Sequence, residues 1–174
     1  MDQQSIKVDV LLTLQDYLRA NYWVLFNRYK SLKAMIFMLV FAGIAGPLLL
    51  FFNDKPLNPG ESYWGLLIPW AILLFMIGGT YWGAKRQLAG AKFLHETHHY
   101  TFTKEEIEIA AQSSAGRQNW GNIREAFETK SNFLLFISLN QIFIIPKRCF
   151  QGGEDISRFK DLLKNKLGSK AKIK

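Results

Sequence analysis

A chain of 174 residues and 20.1 kDa has the size of one domain, which excludes a large multi-domain enzyme. With 49% hydrophobic and 14% aromatic residues against 21% charged, it has too much apolar surface to stay disordered. A formal charge of +8 suits an anionic surface, whether nucleic acid or membrane, and the single Cys149 excludes an internal disulfide and a cysteine-based zinc site.

At the N-terminus, Ile6, Val8, Val10 and Leu12 alternate with Lys7, Asp9 and Leu11, the period-2 pattern of a half-buried strand. Thr13 then caps a helix, with Asp16 three residues on and Leu14, Tyr17, Leu18, Tyr22, Leu25 and Phe26 along one face. A lone strand is not stable, and its partners are expected beyond residue 84, so residues 1–33 are read as a cytosolic appendage packing on a later domain.

From Ala34 to Phe52 run nineteen residues without a charge, and from Ser62 to Ala84 another twenty-three. As helices they reach about 28 and 34 Å, enough to cross a hydrocarbon core of ~30 Å. Neither has a polar face, as a long helix of a soluble core would, and Tyr63, Trp64, Tyr81 and Trp82 sit at the ends of the second, where headgroups lie. The proline-rich Asn53–Glu61 joins them as a turn, predicting a transmembrane hairpin over 34–84. Arg28, Lys30 and Lys33 precede the first span and Lys85, Arg86 and Lys92 follow the second, so both termini are expected in the cytoplasm. Ala42/Gly46 and Gly79/Gly83 have the spacing of close helix packing, read here as contact within the hairpin, with a homodimer as the alternative.

After Lys92 the chain reads as short strands over 98–103, 107–113, 116–129, 132–139 and 141–148, an antiparallel meander. A helix from Glu154 to Leu167 then presents Ile156, Phe159, Leu162, Leu163 and Leu167 to the sheet, and Gly168 stops it. Residues 95–174 thus form a small α+β domain at the membrane exit.

Few residues point to chemistry. His95, Glu96, His98 and His99 are a metal-like cluster, but adjacent strand residues face opposite ways, so no metal and no cofactor are expected. Gly152-Gly153 is followed by Glu154 and Asp155, which repel an anion, and Ser113 and Ser114 lack the setting of a nucleophile. Arg158, Lys160, Lys164, Lys166, Lys170, Lys172 and Lys174 make a basic tail with no aromatic after Phe159, which favours membrane lipid over nucleic acid. Lys85, Arg86, Lys92, Lys164 and Lys170 are the lipid-facing candidates.

The Thr13-x-x-Asp16-Tyr17 helix start after a strand, the two spans, a Trp120-containing strand and the run Phe143-Ile144-Ile145-Pro146-Lys147-Arg148-Cys149-Phe150 before a terminal helix resemble the YcxB-like family of bacterial membrane proteins. Cys149 stands where that pattern has an aliphatic or small residue. The resemblance implies a multi-pass protein of the bacterial inner membrane with a PH-like C-terminal domain, a bent sheet or barrel capped by a helix, and no catalytic residues. The reading is a non-enzymatic membrane protein whose PH-like domain binds a protein partner as scaffold or regulator. A toxin-neutralising immunity protein and, with His95, Glu96 and His98, a lipid-modifying enzyme are the alternatives. Trp120, read as a core aromatic, also joins Arg124, Lys147 and Arg148 as the candidate recognition edge.

Overall fold

The computed structural model describes residues 5–28, 30–52, 64–90, 96–138 and 141–173. In chain order these form β1 (Ile6–Val10), α1 (Leu14–Trp23) with a π-type turn over Val24–Arg28, α2 (Lys30–Phe51), α3 (Trp64–Gly90), β2 (His98–Phe102), β3 (Glu106–Ala110), β4 (Ala115–Asn119), β5 (Glu125–Glu128), β6 (Asn132–Phe136), β7 (Ile142–Pro146), α4 (Gly153–Leu167) and β8 (Ala171–Lys172). The chain divides into two compact units, Met1–Ala20 with Lys85–Lys174, and Asn21–Ala84.

The first unit is α+β. One sheet has the order β1-β2-β3-β4 and the other β7-β6-β5-β8, antiparallel throughout except for the short β8, which runs parallel to β5. β1 finds the partner its alternation requires: Ile6 lies opposite Phe102 and Val10 opposite His98, with Ile6, Val8 and Val10 buried and Lys7 and Asp9 outward. A strand from the start of the chain is thereby completed by one that begins some ninety residues later.

The run 116–129 is not one strand. It breaks at Trp120–Asn122 into a 3-10 turn, where the Asn119 side chain accepts from the Gly121 amide at 2.8 Å and the Ile123 amide donates to the Trp120 carbonyl at 3.1 Å. Gly121 and Asn122 suit such a turn, and it carries the chain from the first sheet to the second. Trp120 therefore lies in a turn rather than in a strand.

α4 closes the domain much as its apolar stripe predicts, with Phe159, Leu163 and Leu167 buried. Its Phe159 ring packs 4.6 Å from Phe102 of the first sheet and 5.1 Å from Phe133 of the second, so one side chain joins both layers. Gly168 ends the helix at φ +52° and ψ −123°, a positive-φ conformation that glycine adopts without a Cβ clash. β6 is buried at all five positions, a central strand covered on both faces.

The second unit holds α2 and most of α3. Within α3, Leu67–Gln87 is long and apolar enough to cross a membrane, and 11% of its most apolar window is buried. α2 is as apolar in composition, but its described part meets that measure only when joined with the helix before it. The expected turn 53–61 lies outside the described residues. The small residues pack differently from the expected pairs. Trp70 Nε1 donates to the Gly43 carbonyl at 3.3 Å, and a Cβ on Gly43 would lie 2.8 Å from the indole. A Cβ on Gly79 or Gly83 would meet nothing within 4 Å, so neither makes the close contact its spacing suggests.

Candidate functional site

Where the N-terminal strand turns into α1, Thr13 and Asp16 cap the helix reciprocally. The Asp16 amide donates to Thr13 Oγ1 at 3.2 Å, while Thr13 N and Oγ1 donate to Asp16 Oδ2 at 3.2 and 2.7 Å. The same carboxylate oxygen accepts from Arg148 Nη2 at 2.6 Å, and that nitrogen also donates to the Leu11 carbonyl at 2.8 Å. Asn132 Nδ2 completes the cluster with a 3.3 Å bond to the Asp16 carbonyl. Burial by itself raises the Asp16 pKa, but the bonds from Arg148 and Thr13 outweigh it and hold the carboxyl below the usual aspartate range. The bond to Asp16 raises the Arg148 pKa in turn, and burial pushes the neighbouring Cys149 thiol up. The Thr13-x-x-Asp16 helix start and the Pro146–Phe150 run, far apart in sequence, thus meet in one ion pair.

The four residues of the candidate recognition edge are not assembled into one. Trp120 is 5% exposed, its Nε1 donating to the Thr103 carbonyl at 3.0 Å, so it is a core aromatic and no part of an exposed edge. Lys147 is half-buried, bonded to Glu128 Oε1 at 2.6 Å and lying 5.2 Å over the Phe133 ring. Lys160 reaches the same carboxylate at 2.7 Å, so the buried Glu128 is neutralised by two lysines. Arg148 is held by Asp16, and Arg124 alone of the four is exposed without an ion pair among the described residues. Sequence reasoning missed Glu128 and Asn132, and only the capping pattern at Asp16 was a signal.

Of the lipid-facing candidates, Lys85 and Arg86 are exposed near the end of α3, Lys164 and Lys170 are exposed at the C-terminal end of α4 and just beyond it, and Lys92 lies outside the described residues. His95 lies outside them too. His98 and His99 face opposite sides of β2: His98 is buried, and His99 Nδ1 lies 2.6 Å from Asp9 across the β1–β2 ladder. Glu96 accepts from the Ser113 amide and hydroxyl at 3.0 and 2.8 Å, which holds its carboxyl below the usual glutamate range. Tyr100, stacked on Phe102, has its phenol pushed up to about 12 by burial. These groups tie strands and turns together rather than converging on one point.

Residues 102–163, from the end of β2 into α4, match the model of the family described as YcxB-like protein. Over these residues the chain is similar to the YcxB-like family. Over 76 residues it is 37% identical to the curated "Uncharacterized protein YcxB" of Bacillus subtilis (strain 168), a match covering 43% of this chain and 41% of that relative. The match therefore spans less than half of the relative's length. No solved structure matches. The YcxB-like segment takes in both partners of the Lys147–Glu128 pair but only the Arg148 half of the pair with Asp16.

Proposed function

We propose that this chain is a non-enzymatic integral protein of the bacterial cytoplasmic membrane, with both termini cytoplasmic, whose PH-like domain binds a protein partner at the membrane surface. The pairing of β1 with β2 carries the reading. Strands joined through five register pairs lie on one side of any bilayer, so the chain between Val10 and His98 crosses an even number of times. A single crossing by α3 would separate the strands, and α2 is the apolar helix available for the second, giving a transmembrane hairpin. Outward apolar side chains such as Phe37, Phe75 and Trp82, each more than 70% exposed, suit contact with lipid.

Two four-stranded sheets capped by a C-terminal helix support the PH-like reading, with the hairpin inserted between the first and second strands. β4 ends its sheet and is exposed at four of its five residues, an edge to which a partner strand can add. The ion pairs of the domain are engaged in holding segments together, which favours binding over catalysis.

Single cysteines in a Cys149→Ser chain test the topology. A membrane-impermeant maleimide is expected to label Asn58→Cys in intact spheroplasts and Ser169→Cys only after lysis; labelling of Ser169→Cys in intact spheroplasts refutes it. For partner binding, a photo-crosslinking residue at Gln118 or Arg124 is expected to give one discrete protein adduct in cells, and no adduct at either position refutes it.

A further inference from the structure

The strand registers sort the domain surface into two poles. At one pole Val10 lies opposite His98, Leu11 is held by Arg148, and Asn132, opposite Pro146, bonds to Asp16. β6 runs away from there to Phe136, a rise of about 13 Å. Phe136 lies opposite Glu125 and Ile142 and its carbonyl accepts from the Arg124 amide at 2.8 Å. α4 starts beside the first pole, just after Lys147–Phe150, and ends at the second, where β8 sets Ala171 beside Ala126. The β2–β3 turn reaches the second pole as well, tied there by Trp120 to Thr103.

Charge is distributed unequally between the poles. At the first, Arg148 and Lys147 are matched by Asp16 and Glu128. At the second, Lys104, Arg124, Lys164, Lys166 and Lys170 are exposed, and among the described residues none of them forms an ion pair. The carboxylates of Glu106 and Glu125 are already occupied by Arg117 at 3.5 Å and Lys172 at 2.9 Å, which leaves Glu105 and, one turn before Lys164, Asp161. Unmatched like charges on one rigid face repel one another, and an anion relieves that repulsion.

We infer that this second pole is a docking surface for an acidic segment of a partner protein. The inference rests on the partner-binding reading above and names the partner's chemistry. A nucleic acid would need aromatic faces for stacking, and at this pole Trp120, its indole N–H engaged by Thr103, and Phe136 are both buried. An anionic lipid surface is the competing occupant, and the vesicle arm of the test below separates it from an acidic protein segment.

The test uses the full chain in phosphatidylcholine nanodiscs and a fluorescent hexadecaglutamate peptide at about 50 mM salt. Binding is expected, weakening as salt rises. The Arg124→Glu/Lys170→Glu variant is expected to bind about tenfold more weakly or worse, while Lys130→Glu, at the turn beside the first pole, changes binding less than about twofold. Circular dichroism checks that each variant is folded. Equal binding by the parent and the double variant, no peptide binding by the parent, or binding of the second pole only to phosphatidylglycerol vesicles each overturn the inference. If the crosslinked adduct at Gln118 persists in any of those cases, partner binding stands and only its acidic chemistry fails.

Discussion

Asp16→Asn removes the charge that both caps α1 and holds Arg148. Asparagine retains an oxygen for Thr13, but the carboxylate that accepts from both Thr13 and Arg148 is lost. Weakening the cap costs up to about 1 kcal/mol. Breaking a fully buried ion pair costs 3–5 kcal/mol, whereas exposed pairs contribute about 0–1. Asp16 is 5% exposed at its side chain but Arg148 is 52% exposed, so screening of the arginine brings the pair to about 1 kcal/mol. The expected total of about 2 kcal/mol lowers the melting temperature of the domain by roughly 5–10 °C, read by near-UV circular dichroism of the detergent-solubilised chain. In a double-mutant cycle with Arg148→Ala the coupling is expected to be about 1 kcal/mol. Acid shows the same interaction. Asp16 titrates lower folded than unfolded, so the unfolded chain binds more protons in that window and stability rises with pH. The contribution is complete above the unfolded aspartate value of about 3.9 and is lost as pH falls through the lower folded value, a slope that Asp16→Asn flattens. A melting temperature within about 1 °C of the parent, together with zero coupling, refutes the assignment of the pair as the joint between α1 and the domain.

The contact at Gly43 makes a sharper demand on the helices than the other small residues do. Gly43→Ala drives its Cβ to 2.8 Å from the Trp70 ring and is expected to loosen the α2–α3 contact by about 1–3 kcal/mol, whereas Gly83→Ala meets nothing and leaves it unchanged; fluorescence energy transfer between labels on the two helices during a detergent titration distinguishes them, and equal curves refute the packing described. Trp120→Phe leaves the Thr103 carbonyl without its 3.0 Å donor and is expected to cost about 1 kcal/mol in urea unfolding; no change of midpoint argues that the indole bond contributes nothing.

What the sequence determines by itself is whatever depends on local periodicity. The alternation in Ile6–Val10, the apolar runs that become α2 and α3, the stripe of α4 and its stop at Gly168 are all patterns of neighbouring residues, and each appears in the structure close to its expected place. The Thr13–Asp16 cap is equally local. Tertiary structure alone decides the rest, because a side chain's partner across the fold leaves no periodic trace. The stretch through Trp120 reads as one strand because nothing local says that the chain changes sheets there. Lys147 and Arg148 read as exposed basic residues because Glu128 and Asp16, which engage them, lie elsewhere in the chain and charge complementarity has no spacing rule. Only the fold, by drawing β1 against β2 and running α4 between two poles, determines which cations are neutralised and which remain free to attract an anion.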